Sequence, residues 1–106
     1  MIKTLYSEGR YIPMVVCDAC KKPITDADMG LALNKSRDLI EGQFVETFHA
    51  HKGDCDRQLE KRIDPKFGSG STELARHLFQ VTHNAGVTRA KLEEIDDRDD
   101  ILGRLP

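Results

Sequence analysis

Cys17-Asp18-Ala19-Cys20 is answered, beyond two strand-like runs, by His49-Ala50-His51-Lys52-Gly53-Asp54-Cys55, and the two clusters contain all three cysteines of the 106-residue chain. A Cys-x-x-Cys pair turns the chain back on itself so that two sulfurs face one point. His51 and Cys55 bracket a short loop and bring the set to four nitrogen and sulfur donors. His49 is the alternative donor, because residues 45, 47, 49 and 51 share one face of an extended strand. His51 is preferred because it lies closer to Cys55 in the sequence. Four such donors suit a tetrahedral zinc ion, and the spacing is a zinc-site signature.

Other uses of these cysteines fit less well. A disulfide framework leaves one of the three unpaired. The opening Met1-Ile2-Lys3-Thr4-Leu5-Tyr6 has no apolar core of the length a secretory signal needs. These features predict a reduced, cytoplasmic chain, and no run approaches the length of a membrane span. A thioredoxin-like redox pair opens a helix, whereas Lys21-Lys22-Pro23 follows the motif here and Pro23 interrupts any helix. Four protein ligands close the metal shell, while catalytic sites keep a position for water. The deaminase pattern is missing, since Val16 rather than proline precedes Cys17, and there is no His-Glu-x-x-His helix. The expectation is one structural zinc and no enzyme activity. A zinc-dependent enzyme with a partly open site is the third reading, should one ligand be only a neighbour.

With no tryptophan and 32% charged residues, the chain has little apolar surface to bury, so its first half depends on the metal for stability. Ile2–Tyr6 and Tyr11–Val16 read as a hairpin around Ser7-Glu8-Gly9-Arg10, with Pro13 confined to an edge or a bulge. Met29–Leu33 and Gln43–Phe48 read as two further strands joined by a turn over 36–42. Asp54 is the expected N-cap of a helix carrying Cys55, Leu59 and Ile63, which Pro65 ends. A knuckle, a hairpin and a helix bearing the last ligand make residues 14–64 resemble the treble-clef zinc fingers. That resemblance implies a fold, not an activity.

Phe67-Gly68-Ser69-Gly70-Ser71 reads as a flexible connection. Beyond it, Ser71 or Thr72 can cap a helix with Leu74, Leu78, Val81 and Ala85 on one face. Gly86 fits a left-handed C-cap, and Thr88 can cap a second helix through Leu92 and Ile95. The expected architecture is α+β: a zinc-stabilised β-hairpin/helix module over 1–67, a Gly/Ser linker at 68–72, and a helical hairpin with an acidic end over 73–106. Residues 74–95 also resemble a helix-turn-helix, with Leu92 and Ile95 facing the first helix. That resemblance implies DNA binding, with Lys21, Lys22, Lys52, Arg89 and Lys91 as candidate nucleic-acid contacts. Against it, residues 1–67 carry eleven basic and eleven acidic side chains, and Glu93, Glu94, Asp96, Asp97, Asp99 and Asp100 crowd the second helix. Ile101, Leu102 and Leu105 form a small apolar group after this run. The preferred expectation is a non-enzymatic regulatory or adaptor protein with a protein partner, and a small DNA-binding transcription regulator is the alternative.

Overall fold

The computed structural model describes residues 1–98 and 103–105. Asp99, Asp100, Ile101 and Leu102, which the sequence reading placed in the acidic run and the apolar group, lie outside the described residues. The architecture is mixed α+β: two small antiparallel sheets and three helices.

Strands β1 (Ile2–Ser7) and β2 (Arg10–Val15) pair in the order expected, around a turn in which Glu8 and Gly9 both take positive φ. Pro13 lies opposite Thr4 in a sheet of only two strands, so its missing N–H interrupts no inner ladder. After the knuckle, Val16 bridges Pro23, and the Ile24 N–H donates to the Val15 carbonyl at 2.8 Å.

The second sheet has the order β4–β3–β5, with β3 (Gly30–Lys35) in the centre and β4 (Thr47–His51) and β5 (Ser69–Glu73) on its flanks. The strand expected over 43–48 is displaced. Pairing with β3 begins only at Asn34–Thr47, where the Asn34 amide donates to the Glu46 carbonyl at 3.2 Å and the Thr47 hydroxyl at 3.0 Å. Residues 43–46 instead complete a loop bent by positive φ at Asp38 and Gly42. The shift makes His51 the last residue of β4, opposite Gly30.

The linker expected at 68–72 also needs correction. Residues 69–73 form β5, antiparallel to β3 from Ser69–Lys35 to Glu73–Leu31. Glycine and serine leave the backbone free to extend, and β3 has a second row of amides and carbonyls that must be paired once Ala32 and Leu33 are buried. The boundary drawn there therefore falls inside a sheet.

Helix α1 (Asp54–Ile63) begins one residue earlier than expected. Its N-cap is Gly53 at φ +107°, whose N–H donates to the Asp56 carboxylate. Asp54 is already helical and pairs with Arg57 at 2.6 Å. At the other end Asp64 accepts the Lys66 and Phe67 N–H groups, which turns the chain toward β5. Helix α2 (Leu74–Asn84) starts with Glu73 as N-cap and no side-chain cap, so neither Ser71 nor Thr72 serves; both belong to β5. Its end matches the expectation. Gly86 has φ +83°, its N–H reaches the His83 carbonyl, and the Val87 N–H reaches that of Thr82, the bond pattern of a Schellman cap. Thr88 then caps α3 (Arg89–Arg98) through the Lys91 N–H at 3.1 Å.

The core joins Cys17, Ile24, Leu33, Ala50, Leu59 and Leu74, with Phe48, Cys55, Ile63 and Leu78 packed against it. Leu74 and Leu78 thus anchor α2 on the same core as α1. Leu92 and Ile95 are 46% and 50% exposed, so they do not form the buried face the helix-turn-helix pattern predicts. Leu74→Ala is expected to cost about 2–5 kcal/mol in denaturant unfolding, the range for a buried leucine. Leu92→Ala should stay within about 0.5 kcal/mol, as at other surface positions. Equal losses at the two sites would contradict this packing.

Candidate metal centre

The knuckle forms because several backbone bonds close on each other. The Cys17 N–H donates to the Lys22 carbonyl and the Lys21 N–H to that of Cys17, both at 2.9 Å, and Lys21 takes the left-handed φ of 65° that the reversal requires. The Cys20 N–H points at the Cys17 sulfur, 3.5 Å away. His51 arrives from the end of β4 and Cys55 from the first turn of α1. Donor atoms of Cys17, Cys20, His51 and Cys55 all lie within 4.8 Å of one another. The four could hold a metal ion.

The orientation of His51 suits that role. Its Nε2 lies 3.2 Å from the Pro23 carbonyl, and a carbonyl can only accept, so Nε2 carries the proton. Nδ1 is then the lone-pair nitrogen, and it is the atom that faces the cluster, 3.4 Å from the Cys20 sulfur. This is the outer hydrogen bond that metal-bound imidazoles use to fix their tautomer.

His49, the alternative ligand, has a different occupation. It is buried, and its Nδ1 sits 2.7 Å from the amino group of Met1. That amine also donates to the Val16 carbonyl at 2.9 Å and to Asp18 Oδ2 at 3.0 Å. The same carboxylate oxygen accepts the His49 N–H at 2.7 Å, and the Asp18 N–H donates to the His49 carbonyl. Burial, the amine and the neighbouring His77 together bring the His49 ring down to about 4, so it is neutral near pH 7. Its edge meets His77 at a centroid distance of 5.6 Å. Burial lowers His77 too. Burial raises Asp18, but the His49 N–H and the Met1 amine outweigh it and hold the carboxyl below its usual range.

The surroundings push the cluster's thiols in different directions. Burial opposes ionisation of Cys17, yet the N–H groups of Cys20, His51 and Ala19 outweigh it and bring the thiol down to about 6. Burial and then the sulfurs of Cys17 and Cys20 push Cys55 up to about 11. The protein frame alone thus favours one thiolate and resists a further one at Cys55. A divalent ion held there would reverse that balance by supplying the opposite charge at the point the sulfurs share.

The candidate nucleic-acid contacts are divided among the knuckle, the turn before α1 and α3. Lys21 and Lys22 are exposed on the knuckle. Lys52 pairs with Glu73 at 2.7 Å and Lys91 with Glu94 at 3.2 Å. Arg89 lines an open hollow of about 420 Å³ beside α3 with Leu92, Ile95 and Arg104. Neither the Pro23 carbonyl at His51 nor the Met1–Asp18–His49 cluster leaves a signal in local sequence spacing. Proline after the knuckle was visible only as a helix breaker, and the pairing of Asp18 with His49 depends on strand register.

Comparison with known proteins finds no matching family model, curated protein or solved structure.

Cobalt(II) titration of the reduced protein checks the donor set. Wild type and His49→Ala should both give intense thiolate charge-transfer bands with saturation at one ion per cluster. His51→Ala should lose tight binding. The reverse pattern would assign the fourth position to His49.

Proposed function

We propose that this chain is a non-enzymatic zinc-binding protein that acts as a regulator or adaptor by binding another protein. The observation that carries the metal reading is the convergence of three sulfurs and one correctly oriented imidazole within 4.8 Å. Zinc is the natural occupant, because mixed thiolate and imidazole donors in a set of four suit its tetrahedral preference. The knuckle, the β3–β4 pair and α1 with Cys55 in its first turn follow the order of a treble clef. The role is structural: four protein donors leave no position for a reacting water. Hollows of about 420 Å³ beside α3 and about 320 Å³ beside the 36–46 loop are lined by other residues.

Exposed apolar groups support a protein partner. Leu39, Ile40, Phe44 and Val45 surround the 320 Å³ hollow together with Phe48, and Phe44 is fully exposed. Single exposed apolar residues are ordinary, but a group around one hollow marks an interaction surface. The basic side chains give DNA less to hold. Lys52 is engaged by Glu73, and Lys91 and Arg98 both pair with Glu94. No helix among the described residues is long and apolar enough to cross a membrane.

Chelation tests the structural role. Metal binding in small zinc modules is worth on the order of 10–16 kcal/mol, comparable with the net stability of a whole domain. Removal of zinc should therefore collapse the circular dichroism of residues 14–64, and an unchanged spectrum after verified removal would defeat the proposal. The partner reading predicts a defined protein that co-purifies with wild type and is lost in Phe44→Ser at unchanged zinc content. Retention on random duplex DNA, falling steeply with salt, would favour the DNA-binding alternative.

A further inference from the structure

The two sulfurs of the knuckle differ in access. Cys17 is buried in the core, Cys55 is partly covered on α1, and Cys20 is exposed. Within the knuckle, a small oxidant in solvent therefore meets Cys20 before Cys17. Residues 17 and 20 are the ends of a tight reversal, and such turns hold their end Cα atoms within about 7 Å, inside the range a disulfide spans. The Cys20 N–H already rests on the Cys17 sulfur at 3.5 Å. Closing the bond thus requires side-chain rotation and leaves the backbone hydrogen bonds of the knuckle in place.

We propose that the Cys17–Cys20 knuckle is a peroxide-sensitive latch, whose oxidation to a disulfide releases the metal ion held with His51 and Cys55. The proposal rests on the metal-site reading above and adds its regulation. In the first step the Cys20 thiolate attacks hydrogen peroxide: an S–O bond forms, the O–O bond breaks, and hydroxide leaves. Sulfur gives up two electrons and becomes a sulfenic acid. In the second step the Cys17 thiolate attacks the Cys20 sulfur, so that the S–S bond forms, the S–O bond breaks and a second hydroxide leaves. Two thiolates and one peroxide yield one disulfide and two hydroxides, which take protons from solvent.

The ion is left with His51 and Cys55 alone, half the donors of a closed tetrahedral site. Cys55 is the thiol left over, because α1 carries it independently of the knuckle. With the ion released, the knuckle loses its tie to the start of α1, and residues 14–64 lose the stabilisation that the metal supplies. A reductant reverses the change by restoring both thiolates.

The test uses the full chain, purified reduced, with its zinc content measured first. Stoichiometric zinc at that point upholds the metal-site reading, and its absence removes both that reading and the latch. Zinc-loaded protein is then treated with a modest excess of hydrogen peroxide beside a colorimetric chelator, and disulfides are mapped by peptide mass spectrometry. The expected result is zinc release severalfold faster than with chelator alone, a Cys17–Cys20 disulfide, a free Cys55, and rebinding of zinc after dithiothreitol. Zinc retained with all thiols intact overturns the latch and leaves the metal centre standing. Release with Cys55 in the disulfide, or with Cys20 carried to a sulfinic acid and no disulfide, overturns it as well.

Discussion

The convergence of three sulfurs and one imidazole on a common point, where a cation would balance their mutual repulsion, is the constraint around which the rest of this structure is arranged. The cluster draws its donors from the knuckle, the end of β4 and the first turn of α1, so an ion there ties three separate segments together. Each donor is placed by backbone bonds: Cys17 and Cys20 by the reversal through Lys21, His51 by pairing with β3, and Cys55 by the start of α1 at Gly53. The positions are thus set by the frame, and burial and the neighbouring thiols hold Cys55 above its ordinary pKa, a cost that an ion bound at the common point would offset.

The apolar core complements this arrangement. It is small, and it is built around the central strand: Leu33 and Ala32 of β3, Ala50 of β4, Leu59 of α1 and Leu74 of α2 are all almost completely buried. Gly30 shows how closely these parts approach. A Cβ there would lie 2.7 Å from Leu74 Cδ2 and 3.0 Å from Ile24 Cγ2, so glycine lets α2 sit down on the sheet beside the knuckle. The four-donor cluster and the core share Cys17, which makes them one structural unit.

Much of the site was legible in the sequence because it depends on local spacing. The Cys-x-x-Cys reversal, the helix bearing Cys55 and the Gly86 cap each follow from a few neighbouring residues. The strand pairing was less legible. The run 43–48 has β-forming residues, yet the partner strand ends at Lys35 and the side chain of Asn34 fixes where pairing begins. The stretch 68–72 has the composition of a linker, but the open edge of β3 gives its backbone a ladder to join. Long-range hydrogen bonding overrode local composition in both places. The choice between His49 and His51 was of the same kind. Both point to one face of β4, and only the position of the Met1 amine and the Pro23 carbonyl separates their tasks.

X-ray absorption at the zinc edge, on reduced protein purified without added metal, tests the central claim most directly. The account predicts a first shell of three sulfurs near about 2.3 Å and one nitrogen near about 2.0–2.1 Å, with no oxygen. A well-folded protein that carries no metal, or a bound ion with water in its first shell, would contradict it.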